Sequence, residues 1–135
     1  MKKILLLFVS TLVLSLTSCD KDDDGDSSSI EGKWSYFQEG TEVNGQEVLV
    51  NYVNDCSTKS DYVEILAGGV FKDVYYYDDC TEEVDTGSWS KDGSNITVSF
   101  NGFSSTGQIL TLDNSTLKVK STVEGEIYIQ VFKRQ

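Results

Sequence analysis

The sequence predicts an all-β domain, an antiparallel up-and-down β-barrel of about eight strands, and three patterns carry this prediction. Apolar and polar residues alternate over short segments after residue 30. Turn-forming dipeptides separate these segments. No stretch after residue 30 repeats its apolar residues with the period of a helix.

Nine candidate strands follow from the alternation, which is clearest in the sixth and the eighth. Ile96, Val98 and Phe100 share one face of their strand, and Leu117 and Val119 share one face of theirs. Such faces are typical of strands that bury one side against a core. The candidate strands are residues 33–39, 47–53, 61–67, 70–78, 84–90, 95–100, 107–112, 116–122 and 127–133.

Turn dipeptides between the candidate strands indicate hairpins. Asn and Gly tolerate the positive φ angles that tight hairpins require. Closing such a meander into a barrel removes its exposed edges, which favours a barrel, and a two-sheet β-sandwich is the structural alternative. The dipeptides are Asn44-Gly45, Gly68-Gly69, Asp92-Gly93, Asn101-Gly102 and Asp113-Asn114.

The composition removes several classes of function. The 135 residues include 22 acidic and 11 basic side chains and no histidine, and the formal net charge is −11. Without an imidazole, triads and zinc sites that depend on histidine are excluded from this chain. The excess of negative charge also disfavours binding to nucleic acid. We expect no catalytic residues, no cofactor and no metal site.

Residues 1–18 have the pattern of a secretory signal peptide. Lys2 and Lys3 precede an apolar stretch over residues 4–16, which is too short for a membrane-spanning helix. The segment ends in Leu16-Thr17-Ser18-Cys19, which resembles the bacterial lipobox. The resemblance implies that Cys19 carries acyl chains of the palmitate kind and tethers the protein to an envelope membrane.

Residues 19–30 are too polar to order against a core, and we predict a solvated acidic tether. Lys21-Asp22-Asp23 resembles the export signal of Bacteroidetes lipoproteins, which implies an outer-membrane protein exposed on the cell surface. The segment from Asp20 to Glu31 also matches the spelling of an EF-hand calcium loop. A strand, and not a helix, is predicted after Gly32, so an acidic spacer is the favoured interpretation.

Two cysteines remain once Cys19 is assigned to lipid. Cys56 and Cys80 have no other partner in an oxidising compartment, so we predict one disulfide bond between them. A metal pair or a redox dithiol is the alternative, but the C-x-x-C spacing of such sites is missing.

A family resemblance begins at Gly32-Lys33-Trp34, which is similar to the G-x-W motif of lipocalins and related calycins. The order of the later segments, over residues 31–135, resembles the small lipocalin-like lipoproteins of Bacteroidetes. The resemblance implies a barrel in which Trp34 closes one end and stacks against a basic residue near the last strand, for which Arg134 is the candidate. The larger lipocalins are longer and have a C-terminal helix, so a deep ligand cavity is not implied.

Aromatic residues are the candidates for a ligand site. Alternation places Phe71, Tyr75 and Tyr77 on one face of their strand and Tyr76 on the other. If the Phe71 face is interior, Tyr75 and Tyr77 line a pocket, and if it is exterior they form a surface patch; ordinary core packing is the third interpretation. Trp89, in a second G-x-W-S segment, is either a core residue or a stacking platform.

The sequence supports two functions that do not involve catalysis. One is capture of a small apolar or amphipathic ligand by the barrel, and the other is contact with another envelope protein by a barrel filled with its own side chains. The acidic pairs Asp78-Asp79 and Glu82-Glu83 flank Cys80 in a predicted exposed hairpin, where carboxylates are normally solvated, so we do not assign them a catalytic role.

Overall fold

The computed structural model describes residues 28–135, which form nine β-strands. The signal peptide, Cys19, nearly all of the acidic tether and most of the EF-hand spelling lie outside the described residues. Within residues 28–135, no helix is long and apolar enough to cross a membrane. The strands are β1 (Gly32–Val43), β2 (Gln46–Asn51), β3 (Tyr62–Leu66), β4 (Val70–Tyr76), β5 (Glu82–Asp92), β6 (Asn95–Phe100), β7 (Phe103–Leu112), β8 (Thr116–Val123) and β9 (Glu126–Arg134).

All nine strands form one antiparallel sheet, which closes where β1 pairs with β9. The closed barrel consists of β1 and β3 to β9, and β2 lies beside β1 at the edge as a ninth strand. The predicted up-and-down barrel is therefore confirmed, and closure of the sheet excludes the β-sandwich. Closure is favoured because it pairs backbone groups that an open sheet would leave exposed.

Strand β1 is longer than predicted because it has two partners along one edge. Residues 32–35 pair with β3, and residues 38–43 pair with β2, while the opposite edge pairs with β9. A β-bulge between Tyr36 and Gln38 separates the two halves. A bulge bends a strand and increases its twist. Residues 38–40 still pair with β9 after the bulge, and the last residues of β1 extend past β9 together with β2.

The β1–β2 hairpin curls over the outer face of the barrel. Lys118 of β8 forms an ion pair with Glu47 of β2, although β9 and β1 lie between these strands in the sheet. Beneath the hairpin, Ile129 points outward by alternation along β9 and is nevertheless fully buried. Gly40 permits the tight curl, because a side chain there would overlap the backbone carbonyl of Val48.

The main apolar core fills the closed part of the barrel. Ile30 belongs to it, so packing begins one residue before the predicted start of the domain at residue 31. The indole N–H of Trp34 donates a 2.8 Å hydrogen bond to the carbonyl of Ile30, which attaches this segment to β1. The buried members of this core are Ile30, Trp34, Val63, Ile65, Phe71, Ile96, Leu117 and Phe132.

A second, smaller apolar cluster lies on the outer face of β4, beneath the connection formed by residues 52–61. Val74 and Tyr76 are buried there with Cys56. The predicted disulfide bond between Cys56 and Cys80 is confirmed, with Cα atoms 4.9 Å apart. The bond attaches the connection to the turn after β4, and the connection covers a patch of the barrel wall.

The predicted turns are present, and one of them works by a different mechanism. Asn44 and Gly45 have φ angles of 52° and 77°, as expected of a tight hairpin. Asp113 does not use a positive φ angle; its side chain accepts hydrogen bonds of 2.8 Å from the backbone N–H groups of Ser115 and Thr116. This Asx-type turn joins β7 to β8.

Candidate functional site

A cavity of about 260 Å³ lies inside the barrel. Its wall is mostly apolar, and its polar groups come from a small number of side chains on β1, β4, β7, β8 and β9. Apolar cavities with a few placed polar groups are the usual form of small-molecule sites. The lining residues are Tyr36, Val63, Ile65, Phe71, Asp73, Ile96, Val98, Phe100, Ser105, Gly107, Leu117, Val119, Ser121, Gln130 and Phe132.

One end of the barrel is closed by Trp34 and Arg134. The guanidinium carbon of Arg134 lies 4.0 Å from the centroid of the Trp34 ring, the contact that the family resemblance implies. Arg134 also donates hydrogen bonds to the backbone carbonyls of Ser29, Glu31 and Asn114, at 2.6, 2.9 and 3.1 Å. These bonds connect the start of the domain, the β7–β8 turn and β9, and they seal this end.

The other end of the barrel is open. A groove of about 710 Å³ begins there, and it shares Ser121 and Gln130 with the cavity wall. Val50 of the curled hairpin and Tyr128 of β9 also line this groove, and each is at least half exposed, at 60% and 50%. The cavity is thus reached from the side of the barrel opposite Trp34.

Within the cavity, the hydroxyl of Tyr36 donates a 3.1 Å hydrogen bond to Asp73. Burial raises the pKa of the Asp73 carboxyl above its usual value; the bond from Tyr36 lowers it, and the charges of Asp85 and Asp61 raise it further. Burial, followed by the charge of Asp73, raises the pKa of Tyr36 well above its usual value. The phenol therefore remains a neutral donor at physiological pH.

Contacts that involve Tyr52 and Asp61 hold Tyr36 in position. The rings of Tyr36 and Tyr52 stack with centroids 4.8 Å apart. Asp61 is 1% exposed and accepts hydrogen bonds from the Tyr52 hydroxyl, at 2.6 Å, and from the backbone N–H of Tyr76, at 2.8 Å. Burial and the bond to Asp61 raise the pKa of the Tyr52 hydroxyl. This arrangement fixes the orientation of both tyrosines, of which Tyr36 lines the cavity.

The structure separates the three aromatic residues that the sequence grouped. Phe71 lines the cavity, so the Phe71 face of β4 is the interior face. Tyr75 and Tyr77 lie on the same face beyond the cavity, pack edge to face with centroids 5.0 Å apart, and do not contribute to its wall. Their hydroxyls donate to Asp55 and Glu83, and the bond to Asp55 is the main cause that raises the pKa of Tyr75 to about 12.

Trp34 and Trp89 both pack in the core of the barrel and lie outside the cavity wall. The indole of Trp34 is fully buried at the closed end, and the indole N–H of Trp89 donates a 2.8 Å hydrogen bond to the carbonyl of Leu66. Neither ring lines the cavity, so core packing describes both better than a stacking platform. Among residues 28–135, no three acidic or cysteine side chains are arranged to hold a metal ion.

Asp73, Tyr36 and Asp61 are the site residues that the sequence did not single out. For Asp73 a signal exists, because alternation places this carboxylate between Phe71 and Tyr75 on one face of a strand. A charged residue on an otherwise apolar face indicates a special role. For Tyr36 and Asp61 no comparable signal exists, since their contacts join distant segments of the chain.

Solved structures with the same architecture come from bacteria and from a crustacean. A lipocalin-like protein from Bacteroides uniformis matches with a TM-score of 0.56 and 18% identity, over 78% of this chain and 97% of that one. An uncharacterized protein from Bacteroides eggerthii matches with a TM-score of 0.53 and 15% identity, over 78% and 98% of the two chains. Lobster apocrustacyanin A1 matches with a TM-score of 0.52 and 18% identity, over 78% of this chain and 60% of that one.

These identities are low, and the structural matches establish the fold alone. No functionally curated protein matches the chain. The family itself follows from the sequence, because residues 30–119 match the model of the lipocalin-like domain. That match covers most of the barrel, and the chain therefore belongs to the lipocalin-like domain family.

Proposed function

We propose that the protein captures a small apolar or amphipathic molecule inside the barrel and does not act as an enzyme. The observation that carries this proposal is the apolar cavity of about 260 Å³, which is sealed at the Trp34 end and open at the other. Barrels of eight strands are wide enough to hold one small ligand, and lipocalins commonly use them in this way. This volume lies just below the usual range of about 300–1,000 Å³ for ligand sites, which favours a small ligand.

Binding of a neutral fluorescent probe tests this proposal. N-phenyl-1-naphthylamine is apolar and brightens when it leaves water, so we expect saturable binding with one probe per protein. The variant Ser105→Phe adds a large side chain to the cavity wall. It should weaken probe binding by about tenfold or more, because it fills the space that the probe needs.

The matched control is Ser104→Phe, since Ser104 precedes Ser105 on β7 and is exposed on the outer face. This variant carries the same new side chain and should bind the probe like the unmodified protein. Capture inside the barrel would be disproved by an absence of saturable binding to the unmodified protein. Equal affinities of the two variants would also contradict it.

The proposed location of this binding module is the outer membrane, with the barrel at the cell surface. The support is the lipobox-like segment that ends at Cys19 and the acidic segment behind it. Lipid on Cys19 would keep the barrel at the membrane while residues 20–29 span the distance to it. The variant Cys19→Ala should release the protein into the soluble fraction, and a variant that stays in the membrane would refute the anchor.

Contact with an envelope protein is the second candidate function, and the edge strand β2 favours it. Val48 and Val50 of β2 are 51% and 60% exposed, and β2 lies at the edge of the sheet. Exposed apolar edge strands are typical sites of association. A photo-crosslinking residue at Val48 should then give a defined adduct in intact cells, while one at Thr122, exposed on β8, should not. Absence of an adduct at Val48 would count against this candidate.

A further inference from the structure

The cavity wall contains one charged side chain, and it is an acid. Among residues 28–135, Asp73 is the only aspartate, glutamate, lysine or arginine that lines the cavity. From the same part of the chain, the groove at the open end adds Glu39 and Glu126 but no lysine or arginine. A ligand that enters from this end therefore meets negative potential along its path, in a protein whose formal net charge is −11.

The carboxylate of Asp73 can accept more hydrogen bonds than it receives from the described residues. Among residues 28–135, Tyr36 is the only side chain that forms a hydrogen bond with its carboxylate, through Oδ1, and no cation lies within ion-pair distance. An ionised carboxylate has two acceptor oxygens, and Oδ2 has no protein partner in this part of the chain. A partly buried carboxylate without a cation is costly, so a cation that enters the cavity would relieve that cost.

The charged groups around Asp73 do not supply such a cation. Asp85 of β5 is its register partner, and Val63 of β3 is its partner on the other side. Asp85 and Asp61 both act on Asp73 as negative charges that raise its pKa.

The position of Asp73 along the barrel defines how an amphipathic ligand would lie. Phe71 precedes it on β4 toward the closed end, and the walls there include Ile65 and Leu117. Tyr75 follows it on the same face, beyond the cavity. The carboxylate therefore lies between the apolar, closed end of the cavity and its open end.

We propose that the ligand is a small amphipathic amine, whose protonated nitrogen pairs with Asp73 while its apolar part packs on the floor of the cavity. This inference rests on the proposed capture function and adds the chemical class of the ligand. The ammonium donates to Oδ2 of Asp73, and the hydroxyl of Tyr36 keeps the carboxylate oriented toward it. Ser121 and Gln130 at the mouth supply further polar contacts for the headgroup.

Three ligands with the same tail test the charge of the headgroup: n-octylamine, n-octanol and n-octanoate. At neutral pH these are cationic, neutral and anionic, so calorimetric titration of the protein compares headgroups at constant apolar area. We expect n-octylamine to bind about tenfold more tightly than n-octanol, since a charge-assisted hydrogen bond contributes that factor. n-Octanoate should bind more weakly than n-octanol, because its charge repels Asp73.

The variant Asp73→Asn removes the charge and keeps the shape of the side chain. It should abolish the preference for n-octylamine over n-octanol. Asp92→Asn is the matched control, because Asp92 is exposed at the end of β5 and outside the cavity, and this variant should keep the preference. The comparison of the three ligands on the unmodified protein needs no variant and remains decisive if Asp73→Asn fails to fold.

The outcomes separate the two proposals. If n-octanol binds and n-octylamine binds no more tightly, the amine inference is overturned and capture of an apolar ligand stands. If none of the three ligands binds, and N-phenyl-1-naphthylamine also fails to bind, the capture function itself is overturned. A preference for n-octylamine that persists in Asp73→Asn would also overturn the assignment of Asp73.

Discussion

The Tyr36 hydroxyl donates a hydrogen bond to Asp73 inside the barrel, although the two residues are 37 positions apart in the chain. They lie on β1 and β4, with β3 between them in the sheet. The bond places a carboxylate at a fixed point in a mostly apolar wall. It thereby gives the cavity a polar position that a ligand can recognise.

The partly buried carboxylate of Asp73 should make stability depend on pH. The pKa of the Asp73 carboxyl is raised in the folded state, so protonated Asp73 stabilises the fold. This contribution to the free energy of unfolding is fully present below the unfolded pKa of about 3.9, and it is lost as the pH rises through the folded pKa. Asp73→Asn does not titrate there. Its free energy of unfolding, measured by urea denaturation, should therefore increase relative to that of the unmodified protein between about pH 3 and pH 7.

Asp113→Asn is the control variant, and we expect its stability relative to the unmodified protein to change with pH in the opposite direction. The backbone N–H groups of Ser115 and Thr116 lower the pKa of Asp113, so its ionised form contributes stability that is present above the unfolded pKa and is lost as pH falls through the folded pKa. Asp113→Asn should consequently lose stability relative to the unmodified protein as pH rises over the same range. Trends of the same sign in the two variants would contradict this account.

The disulfide bond between Cys56 and Cys80 should stabilise the fold. It closes a loop with a sequence separation of 24, and the chain-entropy model assigns such a loop a contribution of about 3.5 kcal/mol. Urea denaturation of the Cys56→Ala/Cys80→Ala double variant should show a loss of about this size. Reduction should destabilise the unmodified protein and leave the double variant unchanged; insensitivity of both proteins would argue against the bond.

Arg134 should stabilise the closed end of the barrel. Arg134→Ala removes the cation–π contact with Trp34 and three hydrogen bonds to backbone carbonyls, and we expect a loss of about 2 kcal/mol in the free energy of unfolding. Arg134→Lys keeps the charge but cannot reach all three carbonyls, so its loss should be intermediate. If Arg134→Ala is no less stable than Lys91→Ala, an exposed change on β5, the proposed role is wrong.

Asp61 should be more important for stability than its partner Tyr52. Asp61→Ala leaves the hydroxyl of Tyr52 and the buried N–H of Tyr76 without their acceptor, with an expected cost of about 3 kcal/mol. Tyr52→Phe removes one of these bonds and should cost about 1 kcal/mol. Thermal or urea denaturation of both variants gives the comparison. Equal costs would show that the bond to Tyr76 contributes nothing.

Several features could be predicted from the sequence because short-range patterns determine them. Alternation, clear in several strands, and the turn dipeptides between them together located all nine strands. The dipeptide Asn44-Gly45 identified a hairpin turn by its tolerance of positive φ angles. Cys56 was paired with Cys80 by counting the cysteines that remain after Cys19 is assigned to lipid. The extension of β1 beyond residue 39 was missed, because the segment from Gly40 to Val43 shows no apolar alternation and is held by pairing with β2.

The sequence by itself determined the strand order along the chain, the excess of acid and the lack of histidine, since these depend only on residue type and spacing. The tertiary structure decided which face of β4 is interior, that Phe71 lines the cavity and that Tyr75 and Tyr77 do not. It also brought Tyr36 to Asp73 and Tyr52 to Asp61. These contacts depend on how strands distant in sequence meet when the sheet closes, and no local pattern encodes that register.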